Sequence, residues 1–444
     1  MRGFSYWIAR FSWLVGYLGI LGVPYALEWR SSHDEFLGAG MQISAINTGL
    51  VAFSLLVVVF VLIARLPSLL SAFGIERILQ MHRVAALFVV VLVAFHVGLV
   101  LVSDPRGLSV FDLGHTTWAA RFATAATVAL AGLVALALRR KRRQPRYEGW
   151  RLLHIVLACT VFLGSWMHVM WLHHLTCNWP FMAWFGAMGL LVLGVVLRRW
   201  LVIPLRTLRR SYVVEDVTAL PGDAVNVSVR AKTHAGISFH AGQFAWLKIG
   251  SSCFVFEEHP FTIASTAESP RRKQFTIKAL GDFSELLRGL RPGRRVYLDG
   301  PYGQMTIDGL EKSWGFMFIA GGIGVAPMLS MLRTLADRGD NRAHVLLLGA
   351  RSLDDVILRA EIDKLRERLE LKVVYTLQEP PPAWSGESGR IDGAMLDRWM
   401  PGHGRNQFDY FLCGPPMMVA SVGGELRERG IATRRIHTER FEVV

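Results

Sequence analysis

Six long apolar segments occupy most of the first 203 residues, and they constrain the fold of this chain more than any other feature. Most of them approach the ~20 residues with which an α-helix crosses the apolar core of a bilayer. The rest of the chain lacks such segments, so the sequence predicts a membrane domain followed by a soluble half. The segments span 11–27, 43–64, 78–102, 118–138, 150–172 and 180–203.

Arginine and lysine are concentrated on one side of the predicted membrane domain, in the connectors 65–77, 139–149 and 204–210. Because these residues accumulate in cytosolic loops, that side is predicted to face the cytosol, together with both termini. The formal net charge of +14 is attributed to this topology, so no nucleic-acid partner is expected. We therefore expect a multi-pass protein of the cell (inner) membrane, in contact with lipid, with a cytoplasmic soluble half.

The cysteines and the first apolar segment narrow the class of protein further. Cys159, Cys177, Cys253 and Cys413 form no C-x-x-C pair, so neither a disulfide framework nor a zinc site is expected. The first segment contains Pro24 and is not followed by a small-residue cleavage site. We therefore expect an uncleaved first helix rather than a signal peptide.

The soluble half has two kinds of pattern. Short alternating stretches such as Ala224-Val-Asn-Val-Ser-Val-Arg230 follow Arg210 and predict a small antiparallel β-barrel. From residue 315 onward, buried strands alternate with helices, which predicts a doubly wound parallel α/β sheet. The predicted fold is a six-helix transmembrane bundle at 1–210, a β-barrel at 211–305 and an α/β domain at 306–444.

Four histidines in two of the predicted membrane helices share one spacing. His82 and His96 lie fourteen positions apart in the third segment, and His154 and His168 lie fourteen apart in the fifth. At ~100° per residue, this interval places both members of a pair on one helix face, roughly 21 Å apart along the axis. Because both helices enter from the basic side, His82 and His154 are expected at the cytosolic depth and the other two at the outer depth.

Pairing across the two helices predicts two bis-histidine sites stacked within the bilayer. Imidazole is a ligand of haem iron, and iron with two axial histidines suits electron transfer because it has no open position. A lone membrane histidine is as often a core residue with a hydrogen-bond partner. Four at matched spacing and depth favour metal ligation, so two b-type haems are predicted.

The barrel region contains two segments suited to a flavin nucleotide. The first offers a hydroxyl, backbone amides and an aromatic ring at the end of a strand. The second combines a strand, a glycine and the start of a helix, whose exposed amides can hold a pyrophosphate, although an ordinary β-to-α turn is an alternative. The segments are His259-Pro260-Phe261-Thr262-Ile-Ala-Ser265 and Ile277-Lys278-Ala-Leu-Gly281-Asp-Phe-Ser284.

Two glycine-containing motifs in the α/β region point to a dinucleotide. In Gly322-x-Gly324-x-x-Pro327 a strand runs into glycines and then a helix, where proline suits the first turn. The third glycine of G-x-G-x-x-G is absent, so this motif alone is weak. Cys413-Gly414-Pro415 ends another strand at the same carboxyl edge, where nucleotides bind in doubly wound sheets. Cys413 is therefore a candidate for the path of a transferred hydride.

Arg351 and Ser352 lie at the end of the predicted strand that comes after the Gly322 motif in the sequence. The adenosine ribose of a bound nucleotide would lie there. A guanidinium at that place favours a 2′-phosphate, and hence NADPH over NADH. A solvated arginine at a strand end is an equal alternative, so NADH remains possible.

Taken in this order, the motifs resemble those of the ferric reductase and NADPH oxidase superfamily, over nearly the whole chain. In that superfamily a ferric-reductase-like membrane domain precedes a ferredoxin-NADP-reductase-like dehydrogenase. The resemblance implies haem pairs His82 with His154 and His96 with His168, FAD on 259–262 and 281–284, and the nicotinamide nucleotide on the two glycine motifs. It also implies that Phe441 covers the flavin, although Glu442-Val-Val follow it.

The activity implied by this resemblance is that of an NAD(P)H-dependent oxidoreductase. Electrons would pass from cytosolic NADPH through FAD and two b-type haems to an outer acceptor. Two acceptors stay open, namely oxygen, which yields superoxide, and a ferric chelate. An alternative is a membrane electron donor that docks a specific periplasmic redox protein, although no obligate protein partner is evident from the sequence.

Overall fold

The chain divides into two compact units, Met1–Ile203 and Pro204–Val444. The structure, a computed structural model, describes residues 2–32, 40–103, 108, 112, 114–143, 147–278 and 282–440.

The regular structure of the first unit is helical. Five helices among the described residues are long and apolar enough to cross a membrane, whereas the apolar part of α1, Ile8–Val23, is shorter. Long apolar helices are thus confirmed for five of the six predicted segments, and a sixth crossing stays a prediction. The helices are α1 (Arg2–Ser32), α2 (Gly40–Leu62), α3 (Pro67–Phe73), α4 (Ile75–Ser103), α5 (Trp118–Arg143), α6 (Tyr147–Met170), α7 (His173–Thr176) and α8 (Trp179–Leu197).

Aromatic side chains of α2, α6 and α8 fill part of the interior of this unit. Trp166 of α6 stacks on Phe185 of α8, with ring centroids 3.9 Å apart and planes at 17°. Phe53 of α2 lies 5.1 Å from the same Phe185 ring. Gly189 makes this packing possible, because a Cβ atom there would overlap the Trp166 ring. A π-helical turn, Arg198–Val202, then continues α8 into α9 (Ile203–Arg209).

The second unit begins with an antiparallel sheet. Val225, Val227 and Val229 of its second strand are buried in the core of that sheet, as the alternating pattern predicts, because successive side chains of a strand point to opposite faces. The elements are β1 (Tyr212–Leu220), β2 (Ala224–Ala231), β3 (Phe244–Ile249), β4 (His259–Thr262), β5 (Arg272–Lys278), α10 (Asp282–Arg288) and β6 (Arg295–Tyr302), with strand order β4-β3-β6-β1-β2-β5.

A parallel six-stranded sheet completes the second unit. Phe316 and Phe318 of its first strand pack against one helical layer, and Met317 and Ile319 pack against the other. The elements are β7 (Gly315–Gly321), α11 (Val325–Asp337), β8 (Ala343–Ala350), α12 (Arg359–Leu365), β9 (Leu371–Leu377), β10 (Glu387–Ser388), α13 (Gly393–Trp399), β11 (Asp409–Gly414), α14 (Pro416–Glu428) and β12 (Ile436–Arg440), with strand order β10-β9-β8-β7-β11-β12. Helices on both faces and parallel pairing confirm the predicted doubly wound sheet.

Lys273 of β5 is an unusual residue of the antiparallel sheet, because its side chain is 1% exposed. Its Nζ donates a hydrogen bond to the carbonyl oxygen of Ile237 at 2.7 Å. It also lies 4.1 Å from the ring centroid of Phe239. Burial disfavours the charged ammonium and lowers the pKa of Lys273 from 10.5 to about 7.

Replacing Lys273 with methionine is expected to change how stability depends on pH. Between pH 7 and 10.5 the unfolded wild-type chain keeps the lysine proton and the folded chain releases it, so wild-type stability rises with pH by at most about 1.4 kcal/mol per pH unit. Below pH 7 both states are protonated, and the desolvation cost is fully present. The melting temperature of the purified wild-type protein, minus that of Lys273→Met, is thus expected to be flat from pH 5.5 to 6.5 and to increase from pH 7 to 9.5. A constant difference throughout would show that folded Lys273 keeps its proton.

Candidate functional site

His96 of α4 and His168 of α6 face each other within the first unit. Their ring centroids are 6.4 Å apart and their planes meet at 69°. An iron ion held between two imidazole nitrogens, with each bond about 2 Å long, separates the ring centroids by roughly 6 Å. The donor set and the spacing of this pair therefore fit a haem iron with two axial histidines.

Backbone carbonyls orient three of the four predicted ligands. In each case the Nδ1–H group donates to a carbonyl oxygen of a neighbouring helix, which leaves Nε2 for a metal ion. This is the usual arrangement around metal-bound histidines, because the bond fixes the tautomer and the ring orientation. The bonds are His96 to Ala45 at 2.7 Å, His168 to Ala119 at 2.9 Å and His82 to Val59 at 3.3 Å.

Gly49 of α2 is part of the His96–His168 site, although the sequence did not single it out. A Cβ atom at this position would lie 2.9 Å from Cε1 and 3.0 Å from Nδ1 of His96. Any larger side chain would therefore push the His96 ring away from its place. The signal was invisible in the sequence, because Gly49 and His96 lie on different helices.

His154 has a different environment from the other three histidines. Its ring stacks on Trp150, one helical turn earlier, at 5.2 Å and 27°. The guanidinium of Arg140 lies 4.1 Å from the ring centroid of Trp150. The indole nitrogen of Trp150 is buried and has no hydrogen-bond partner among the described residues. The i, i+4 spacing of Trp150 and His154 was the available sequence signal for this contact.

The first flavin segment forms β4 and the chain that follows it. His259 and Phe261 lie 4.2 Å and 6.0 Å, respectively, from the ring of Phe283 in α10, and Phe261 stacks on it at 13°. Thr262 and Ser265 are 4% and 6% exposed. Their hydroxyl oxygens are buried and have no hydrogen-bond partner among the described residues. Two such hydroxyls suit a polar ligand, because a buried group without a partner costs free energy.

The second flavin segment is described only in part. Lys278 is the last residue of β5, and Ser284 is buried in the first turn of α10. Gly281, the predicted centre of the turn, lies outside the described residues. Pro260 is an exposed residue of β4, opposite Trp246 of β3.

The two glycine motifs meet at the carboxyl edge of the parallel sheet. Gly322–Gly324 forms a 3-10 turn between β7 and α11, and Pro327 lies in the first turn of α11. A Cβ atom on Gly324 would overlap the carbonyl oxygen of Cys413. The loops contact closely because β7 and β11 are neighbours in the sheet. The structure thus brings together two motifs that are about 90 positions apart in the printed sequence.

Cys413, a residue predicted for the hydride path, is less well placed for that role than the glycine motifs are for theirs. Cys413 is 0% exposed and belongs to the core between the sheet and α11. Gly414, the last residue of β11, is also buried, whereas Pro415 is exposed and precedes α14. Phe441 lies outside the described residues, although Glu439 of β12 pairs with Cys413.

Arg351 and Ser352 lie at the end of β8, and both have protein partners. Arg351 is exposed and pairs with Glu379 at 3.0 Å. The Ser352 hydroxyl donates to Asp355 at 2.8 Å and caps the 3-10 turn Leu353–Asp355. Ser352 therefore has a local structural role, whereas the exposed Arg351 pair can exchange for another anion.

Three family models match successive parts of this chain. "Ferric reductase like transmembrane component" matches residues 48–165, "FAD-binding domain" matches 210–306 and "Oxidoreductase NAD-binding domain" matches 318–423. The matches follow the order that the motifs predicted.

Curated relatives and solved structures resemble parts of the chain. The reductase component of propane 2-monooxygenase from Rhodococcus jostii is 32% identical over 249 residues, which are 54% of this chain and 65% of that protein. NADH-cytochrome b5 reductase 2 from Neurospora crassa is 29% identical over 147 residues, which are 32% of this chain and 43% of that protein. The chain thus spans less than two thirds of the length of these relatives. The Amycolatopsis cytochrome P450 reductase GcoB is 24% identical, with a TM-score of 0.46 over 52% of this chain and 69% of that chain.

Proposed function

Because the chain has the membrane, FAD and nucleotide domains of the ferric reductase and NADPH oxidase superfamily, to which it belongs, we propose that it carries electrons from cytosolic NADPH across the membrane to an outer acceptor. The chain is an NAD(P)H-dependent oxidoreductase with a membrane domain. The observation that carries the proposal is the His96–His168 pair, whose rings are 6.4 Å apart. The proposed location is the cell (inner) membrane, with the dehydrogenase in the cytoplasm.

We assign the four histidines as ligands of two b-type haems in a bundle of six membrane helices. His96 and His168 hold the outer iron, and His82 with His154 hold the inner one. Beside His154, Arg140 and Trp150 present a guanidinium and an indole N–H. Carboxylates such as haem propionates are the groups that these donors bind. His154 would therefore help to hold the haem iron, and Arg140 and Trp150 would bind its carboxylates.

The antiparallel sheet, proposed to close as a barrel, binds FAD on and after β4. The buried hydroxyls of Thr262 and Ser265 are the polar groups for the flavin, and Phe261 offers an aromatic face. His259, Pro260, Lys278, Gly281 and Ser284 complete the assigned FAD residues. FAD supplies the step between a two-electron hydride donor and carriers that accept one electron at a time.

The nicotinamide nucleotide is assigned to the edge where Gly322, Gly324, Pro327, Gly414 and Pro415 lie. The glycines there let phosphates approach the backbone at the start of α11. We keep NADPH as the preferred donor because the Arg351 guanidinium is exposed at the end of β8. Its partner Glu379 must release it before a 2′-phosphate can bind.

The acceptor is proposed to be oxygen or a ferric chelate at the outer side. A haem iron held by two histidines would leave no open coordination position, so it would pass electrons to the acceptor without binding it at the metal. Cys413 and Phe441 remain the residues assigned to the hydride path. Because Cys413 is buried, its role there would be through its neighbours.

An anaerobic reduction experiment tests the proposed function. We expect NADPH to reduce the FAD-loaded protein in mild detergent, with the reduced b-haem bands of about two haems per chain. NADH in a parallel cuvette is expected to act more slowly, because Arg351 is matched to the 2′-phosphate. On admission of air the bands are expected to decay.

Two results would contradict the proposal. If dithionite reduces the haems and neither nucleotide does, the dehydrogenase assignment is wrong. If air and ferric chelates both leave the reduced haems unchanged, a specific periplasmic redox protein becomes the better acceptor. Sensitivity of the product to superoxide dismutase separates oxygen from the chelate.

A further inference from the structure

Helix α11 contacts both of the sites assigned to cofactors in the second unit. It begins at the glycine turn Gly322–Gly324. Side chains in its middle turns form hydrogen bonds with the main chain of residues 264–267, which closely follow Thr262. At 1.5 Å per residue, the two regions lie roughly 9–15 Å apart along one rigid helix.

Ser330 and Thr334 of α11 bond to the main chain of this segment. The Ser330 hydroxyl donates to the carbonyl oxygen of Ser265 at 2.9 Å and accepts from the amide of Gly242 at 3.2 Å. The Thr334 hydroxyl accepts from the amide of Ala267 at 2.9 Å. Both side chains are 0% exposed, so water does not compete for these bonds.

Arg333 adds a charged contact on the same face. The residue is 9% exposed, and its guanidinium donates to the carbonyl oxygen of Ala264. The other two nitrogens bind both carboxylate oxygens of Glu361 in α12, one of them at 2.7 Å. This bidentate geometry fixes the plane of the guanidinium, and a lysine cannot reproduce it.

The contacts use only the main chain of segment 264–267. They hold two carbonyl oxygens and one amide, and leave the buried hydroxyls of Thr262 and Ser265 without protein partners among the described residues. The backbone of the flavin segment is therefore fixed while its polar side chains stay available for a ligand. Gly242 also lets the chain approach α11 closely, because a Cβ atom at this position would lie 2.8 Å from Cε of Met331 in α11.

We propose that Ser330, Arg333 and Thr334 are positioning residues that set the nicotinamide against the flavin for hydride transfer. This inference rests on the proposed function. Hydride transfer requires the reacting atoms to be about 3–3.5 Å apart, and a misplacement of about 1 Å can cost ~100-fold in rate. A helix bonded to the flavin segment and starting at the nucleotide turn fixes that distance.

The test is stopped-flow reduction of the full-length, FAD-loaded protein by NADPH without oxygen. Arg333→Met is expected to lower the rate of flavin reduction at saturating nucleotide by about 10- to 100-fold. KM for NADPH is expected to change by less than about threefold, because no assigned nucleotide contact is removed. The long-wavelength charge-transfer absorbance between nicotinamide and flavin is expected to disappear. The rate of flavin reduction in Arg333→Lys is expected to lie between the rates of the wild type and of Arg333→Met.

Arg338→Met is the matched control. It removes a cation from the end of the same helix, where Arg338 pairs with the exposed Glu268 and with Asp308. No bond of Arg338 to the main chain of 264–267 is among those of the described residues. Wild-type reduction rate and wild-type charge-transfer absorbance are expected for this variant.

A wild-type rate and charge-transfer band in Arg333→Met would overturn the positioning role, even if that variant melts at a lower temperature. If Arg333→Met yields no FAD-loaded protein, Ser330→Ala and Thr334→Val decide instead, and wild-type rates in both would overturn it equally. If the wild-type protein itself is not reduced by either nucleotide, the proposed function is wrong, and the positioning role is rejected with it.

Discussion

His96→Leu is expected to leave about one haem per chain and to stop electron transfer to the outer acceptor. Leucine fills a similar apolar volume but has no ligand nitrogen, and it also removes the bond to the Ala45 carbonyl. Loss of a group that only orients a metal ligand costs about 10- to 100-fold in metal affinity, so loss of the ligand itself is expected to cost more. Flavin reduction by NADPH is expected to be unchanged.

The measurement combines haem content, the reduced-minus-oxidised spectrum and the rate of acceptor reduction. His115→Leu is the control, because this exposed histidine pairs with Asp112 and lies outside the paired sites. It is expected to keep two haems. Two haems with an unaltered spectrum in His96→Leu would reject the outer bis-histidine site.

Gly324→Val is expected to abolish reduction of the flavin by nucleotide, with a loss of at least about 100-fold in kcat/KM. Any Cβ atom at Gly324 overlaps the Cys413 carbonyl oxygen. The turn must then move away from β11, and the backbone amides at the start of α11 move with it. Dithionite is still expected to reduce both haems, because the first unit is untouched.

Gly424→Ala is the matched control for this substitution. Gly424 lies in α14 and has no atom within 4 Å of an added Cβ, so the variant is expected to behave as wild type or to be slightly more stable. Retained FAD absorbance in Gly324→Val shows that the antiparallel sheet has folded. If that variant is FAD-loaded and NADPH reduces it at the wild-type rate, the nucleotide does not bind at this turn.

The sequence predicted the elements well where one local period controls them. Alternation in Val225, Val227 and Val229 placed these side chains in a sheet core, and the structure confirms it. The apolar lengths predicted six long apolar helices, and the described residues contain five that are long and apolar enough to cross a membrane; in α1 the apolar part, Ile8–Val23, is shorter. Length and composition decide such elements without reference to distant residues.

The residues of the candidate site were predicted less well than the helices and strands. The fourteen-residue spacing and the common direction of the two helices predicted that His96 and His168 lie at one depth, and the structure brings their rings together. Arg351 and Ser352 were predicted from strand ends alone, and the sequence did not reveal that Glu379 and Asp355 are their partners. Those partners come from loops whose course depends on packing rather than on a local pattern.

By itself, the sequence determined the long apolar helices, the periods of the helices and strands, and the residue types that could serve chemistry. Only the tertiary structure decided that Gly49 approaches His96, that Gly324 packs on Cys413, and that Arg333 holds the chain after Thr262. The physical reason is range. Backbone geometry repeats over a few residues and leaves a period in the sequence, whereas contacts between distant segments are set by how whole helices and strands pack.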